Sequence, residues 1–205
     1  MYRLIVTPVG PFGHAVAERL RDLRRDVSVE VEIEVDGPDP VLRVLAAWRR
    51  VPALERDLDE ESHRSGRPWL PVILDHPVLE IGPAVVPGLG ACHGCYRRRV
   101  AQHDPGRAVS AALGRHYERD DRDGPAGHLP SAALVAAATA TDVADRLWVA
   151  PEAEAGRVRQ LDVPTQQLRS GQVVGVHGCP RCGLGRDETT RSYERLPALL
   201  PGVFG

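Results

Sequence analysis

Four cysteines constrain this chain more than any other feature, and they come as two matched pairs. Cys92 and Cys95 sit in the run ACHGCYRRR, residues 91–99, and Cys179 and Cys182 in HGCPRCG, residues 177–183. Two thiolates three residues apart grip one face of a tetrahedral ion, and a second such knuckle completes a closed zinc site of four thiolates. Gly94 inside the first knuckle, and Pro180 with Gly178 and Gly183 around the second, let backbone N–H groups turn toward the sulfurs. A thioredoxin-type dithiol needs one pair rather than two, and a disulfide framework suits short secreted chains. A redox role with zinc release stays open as a minor alternative, since the Cys-x-x-Cys setting can lower a thiol pKa. Residues 96–178 lie between the knuckles, so the ion is expected to tie distant parts of the chain together. Cysteine fills all four positions and leaves none for an activated water. The expected zinc is a structural staple.

Composition narrows the function classes. At 205 residues, 42% hydrophobic and 26% charged, the chain is of globular type, with enough length for an ordinary core. A net charge of −2 gives no electrostatic footprint for nucleic acid or an anionic membrane. Aromatic residues make up 4%, too few for a base-stacking platform. All 26 basic residues are arginine, which excludes a Walker-type lysine, a Schiff base and a lysine general base. The N-terminus MYRLIVTPVG is no signal peptide, and no window approaches the ~18 apolar residues of a membrane span. The expected location is the cytoplasm, where thiols stay reduced.

Along the chain, residues 2–9 read as a buried strand, followed by Gly10-Pro11-Phe12-Gly13 and a helix with Ala15, Val16, Leu20 and Leu23 at helical spacing. Strand, glycine turn and helix open a Rossmann-like unit. This turn is not G-x-G-x-x-G: Pro11 removes a donor and Phe12 fills space where a phosphate would approach, so Gly10 and Gly13 are only weak nucleotide candidates. Residues 27–35 alternate valine or isoleucine with serine or glutamate, a half-exposed strand. A third strand is expected over Val41 to Ala47 and a helix over 52–66, where Glu60 and His63 read as surface residues on an exposed acidic helix. Another strand covers RPWLPVILDH, and strand, turn and strand lead into the first knuckle. A helix is expected through Tyr96–Ala101, then a long polar loop over 102–129 with at most a short helix around Val109–Leu113. Residues 131–147 form the strongest helix, capped by Ser131, its many alanines suited to close packing, a partner subunit included. Two strands within 157–176 deliver the second knuckle, and the apolar tail 196–205 is expected to dock on the chain's own core or a partner.

The run IGPAVVPGLGACHGCYRRR, then GPAGHLPSAALVAAATATDVADRL, then a strand pair into HGCPRCG, resembles the ThiF-like superfamily. It looks most like the branch that assists YcaO enzymes in converting Cys, Ser and Thr of a precursor peptide into azolines. Gly82-Pro83 to Cys95 carries most of the match, within a span of residues 40–185. The resemblance implies a truncated α/β, Rossmann-like (ThiF-like) three-layer fold with a structural zinc at Cys92, Cys95, Cys179 and Cys182. It also implies a homodimer and a YcaO-type partner with its precursor peptide.

The departures bear on chemistry. Adenylating members need a glycine-rich phosphate loop, an acid on the ribose, arginines and usually a lysine on the phosphates, and an aspartate for magnesium. Here the lysine is missing, and only Asp36 and Asp39 offer a ribose contact, so ATP is not expected to bind. The N-terminal winged-helix module that binds leader peptide by strand addition in this branch is also expected to be missing. The expected function is that of a non-catalytic accessory subunit in a single domain over 1–205. An active adenylating enzyme and a zinc-stabilised interaction module remain as alternatives.

Overall fold

The computed structural model describes residues 2–30, 40–119 and 127–183. Residues 31–35 of the expected second strand, Asp36, Asp39 and the tail 196–205 lie outside them. The elements run β1 (Arg3–Val9), α1 (Gly10–Leu23), β2 (Val27–Val29), β3 (Val41–Ala47), α2 (Pro52–Ser65), β4 (Trp69–Asp75), β5 (Val78–Ile81), α3 (His93–His103), α4 (Arg107–Arg119), α5 (Pro130–Val149), α6 (Pro151–Glu154), β6 (Arg157–Asp162) and β7 (Gln167–Gln172).

All seven strands join one sheet in the order β2-β1-β3-β4-β5-β6-β7. β2, β1, β3 and β4 are parallel, and β4, β5, β6 and β7 pair antiparallel in sequence. The central parallel strands are near-continuous apolar runs because helices cover both faces. Their pleat sorts the side chains: Leu4, Val6, Leu42, Val44, Leu70 and Val72 belong to a core with α1 and α5, while Leu45, Leu58, Trp69 and Val85 cluster on the α2 side. The result is an α/β Rossmann-like fold in three layers.

The alanine-rich α5 uses its small residues within the chain. Ala132, Ala133, Ala136, Ala137, Ala140 and Ala144 are buried in the same core as Phe12, Val16 and Leu20 of α1. Periodicity marks which face is buried, not against what. Ser131 does not cap this helix: Leu129 stands at the cap without a side-chain bond, and Pro130 opens the first turn.

Two further expectations change. Within the stretch 102–129, the short helix expected around Val109–Leu113 extends over Arg107–Arg119 as α4, whose described residues are not buried. The second strand expected before the first knuckle reduces to one isolated bridge, Trp69 with Val85, and the knuckle opens a helix instead.

Candidate functional site

The structure brings all four cysteines together. Cys92 is the N-cap residue of α3 and Cys95 lies in its first turn, with the Cys95 amide donating to the Cys92 carbonyl at 3.1 Å. The second knuckle follows β7, where Gly178 takes a φ of 69° and the Cys179 amide donates to Val176 O at 3.1 Å. The four Sγ atoms lie within 4.8 Å of one another, and all four residues are buried. Cys92 and Cys179 are 3.7 Å apart through sulfur, Cys95 and Cys182 3.3 Å.

These spacings fit a metal ion. A tetrahedron with metal–sulfur bonds of about 2.3 Å has edges of about 3.8 Å. The Val176 amide donates to Cys95 Sγ at 3.2 Å, a contact that suits a thiolate. The thiols of Cys92, Cys95 and Cys179 differ in acidity. Burial, reinforced by Asp59, pushes Cys92 well above its ordinary range, and burial takes Cys95 up to about 11. Burial also opposes ionisation of Cys179, but the Cys182 and Arg181 amides outweigh it and bring that thiol down to about 6. An ion held by the four cysteines would supply the positive charge that buried thiolates need.

Around the cysteines lies a second tier that sequence reasoning missed. Asp59 on α2 is 1% exposed. Its carboxylate accepts from the His93 amide at 3.1 Å, the Gly94 amide at 3.4 Å and Trp69 Nε1 at 3.4 Å, and from Arg181 Nη1 at 2.6 Å. One carboxylate thus joins both knuckles to α2. Glu60 holds Arg181 Nη2 at 2.8 Å, while His63 faces the Asp59 carbonyl at 2.8 Å, so the two do not form an acid–base pair. The helix is acidic but not merely a solvated face, since Glu55, Leu58, Asp59 and Ser62 make one buried stripe. That stripe, at i, i+3, i+4 and i+7, was the available signal.

The tier continues into a buried charged network. Arg50 pairs with Glu80 and lies 3.5 Å from Glu55, and Tyr96 Oη donates to Glu80. Gln160 Nε2 donates to Glu80 at 3.1 Å. Burial works against the Glu80 carboxylate, yet Arg50 and the Tyr96 hydroxyl hold it below the usual carboxylate range. His93 Nε2 stands 3.3 Å from Glu55, and burial takes its imidazole down to about 4, so it is neutral.

Gly10 and Gly13 are closely packed. Gly10 has φ 69°, and a Cβ there would meet Trp48 Cδ1 at 2.5 Å. A Cβ on Gly13 would meet the Ala46 carbonyl at 2.2 Å. Phe12 is fully buried in the core. The glycines let α1 sit tightly on β3 and Trp48.

Neither a family model nor a curated protein sequence matches the chain. Solved structures do. A heterocyclase in complex with substrate and cofactor is similar at a TM-score of 0.64 and 24% identity, over 88% of this chain and 25% of that one. A chain of the E. coli microcin synthetase McbBCD complex is similar at 0.64 and 17%, over 87% of this chain and 67% of that one. E. coli MccB with ATP is similar at 0.58 and 13%, over 89% and 67%. The chain shares the fold of these structures. At these identities the likeness establishes the fold, and the chain spans about a quarter of the heterocyclase's length, 25%. Within this fold, the cysteine cluster sits beside α2 and α3, on the sheet face opposite α1 and α5. Among the described residues, no helix is long and apolar enough to cross a membrane.

Proposed function

We propose that this chain is an accessory, non-catalytic subunit in the maturation of a ribosomally made peptide of the thiazole/oxazole-modified, bacteriocin type. It supports a YcaO-type cyclodehydratase or presents the precursor peptide to it, as a cytoplasmic homodimer. The ion held by Cys92, Cys95, Cys179 and Cys182 is zinc, and it staples the fold.

One observation carries the accessory role. The turn that would cradle a nucleotide phosphate is taken up by packing: Trp48 lies over Gly10, β3 backbone over Gly13, and Phe12 is in the core. The likeness to a heterocyclase and to a microcin synthetase component gives the role its context. The likeness to MccB with ATP favours a second reading, an adenylating enzyme, and the same turn weighs against it.

The test is reconstitution of ring formation from a YcaO-type enzyme and its precursor peptide with and without this chain, followed by mass spectrometry for loss of one water per ring. The expected result is a large drop in rate when this chain is left out. An unchanged rate, with no complex on size exclusion, would contradict the proposal.

A further inference from the structure

β7 ends the sheet. β6 pairs with one of its edges, no strand among the described residues pairs with the other, and each of its six residues is exposed. Edge strands that stay single carry proline, a bulge or several charges that discourage pairing. β7, QLRSGQ, has one charge, Arg169, and no proline, and its register with β6 runs unbroken from Gln167 to Gln172. The Val173 amide donates to the Gly156 carbonyl at 2.9 Å, which sets the phase of the ladder. Gln167, Arg169 and Gly171 therefore exchange hydrogen bonds with β6, and the amides and carbonyls of Leu168, Ser170 and Gln172 point outward along the free edge.

A groove of about 890 Å³ adjoins this edge, between α3 and the β6–β7 hairpin, with Val100, Val158, Gly171 and Val173 among its lining residues. A Cβ on Gly171 would meet nothing within 4 Å, so the groove is open there. Its charged or titratable groups are Arg99, His103 and Asp104. Arg99 donates to the carbonyls of Val174 and Gly175, each at 3.4 Å. The Asp104 carboxylate accepts the Gly106 amide at 2.7 Å and has no guanidinium partner among the described residues.

The sequence of β7 suits pairing with itself. In an antiparallel pair about a two-fold axis at Ser170, the outward groups of the two strands meet, Leu168 faces Gln172 of the second copy, and Arg169 faces its Gly171. Each arginine then lies over bare glycine backbone at the mouth of the groove that holds Asp104. An arginine stem covers apolar surface while its head meets a carboxylate, whereas like charges directly opposite oppose pairing. An axis at Arg169 would set the two arginines face to face.

We infer that β7 is a dimer edge, pairing antiparallel with β7 of a second copy about Ser170, with each Arg169 seated in the other copy's groove beside Asp104. Such a contact is isologous and closes the assembly at two. The inference rests on the homodimer reading above and names its interface.

The experiment is sedimentation of the metal-loaded full chain with no partner enzyme present, so its outcome is separate from that of the ring-formation test. The wild type is expected to sediment as a concentration-dependent dimer. Ser170→Pro removes an outward amide and no bond to β6, so it is expected to fold and to weaken the dimer by about ten-fold or more. Facing residues of a hydrogen-bonded pair stand about 5.5 Å apart at Cα, inside the disulfide range of about 4.4–6.8 Å. Ser170→Cys is therefore expected to cross-link to its own counterpart under mild oxidation. Leu168→Cys, about 13 Å from its counterpart by strand rise, is expected to stay free. Circular dichroism and metal content check the fold of each variant. A monomeric wild type, an unchanged dimer in a folded Ser170→Pro, or Leu168→Cys cross-linking as fast as Ser170→Cys would overturn the inference.

Discussion

Asp59 and Arg181 are 122 residues apart in the chain, and their side chains meet at 2.6 Å. Arg181 lies between the two cysteines of the second knuckle, and Asp59 also accepts amides of the first. The two halves of the cysteine cluster are thus joined by one carboxylate on α2. Breaking a buried pair costs about 3–5 kcal/mol. Arg181 keeps partial contact with water, which lowers the expected loss for Asp59→Asn to about 2 kcal/mol. Groups that orient metal ligands set affinity about ten- to hundred-fold. Asp59→Asn is therefore expected to lose metal to a chelator at lower concentration and to unfold at lower urea, both measurable on the same sample. Arg181→Gln, altering the more exposed partner, should do less.

Replacing a cysteine tests the staple itself. Cys179→Ser is expected to lower bound zinc from one ion per chain toward none, by elemental analysis after size exclusion. The melting temperature should fall with it, because binding of the ion is coupled to folding. A redox pair would instead leave stability nearly intact and shift a measurable potential.

The glycines of the first turn should respond to bulk and not to nucleotide. Gly13→Ala places a methyl against the Ala46 carbonyl, and such overpacking costs about 1–3 kcal/mol. Chemical denaturation reads this directly. Gly10→Ala adds the strain of a positive φ to its clash with Trp48, and is expected to be at least as severe.

Acid should unfold the protein partly through Glu80. Burial alone would raise its pKa, but Arg50 and the hydrogen-bond donors outweigh this, and the folded-state value lies below the ordinary 4.5. The carboxylate therefore contributes stability that is fully present above the unfolded pKa and is lost as pH falls through the folded one. Denaturant midpoints measured downward from pH 7 are expected to fall more steeply below 4.5 in the wild type than in Glu80→Gln, which starts lower at neutral pH.

The cysteine cluster was legible because its signal is local: spacing within each knuckle is enough to pair the four sulfurs. The parallel strands were legible because both faces are buried, which leaves unbroken apolar runs such as Val44 to Ala47. Asp59 and Glu55 were hidden by their setting. On a helix that also carries Glu60 and Glu61, burial depends on which face meets the sheet, and only Leu54 and Leu58 hint at that. α4 was hidden for the opposite reason, since it presents almost no buried side chain of its own. The packing of α5 onto α1 could not be read either, because an alanine face fits a neighbouring helix of the same chain as well as that of another.

The central claim, an accessory role without nucleotide chemistry, is tested most directly by calorimetric titration of ATP with magnesium into the zinc-loaded protein. The account predicts no saturable heat, because Trp48, Phe12 and the β3 backbone occupy the space around the Gly10–Gly13 turn. A one-to-one isotherm, accompanied by pyrophosphate exchange with a peptide substrate, would contradict it and make the chain an adenylating enzyme.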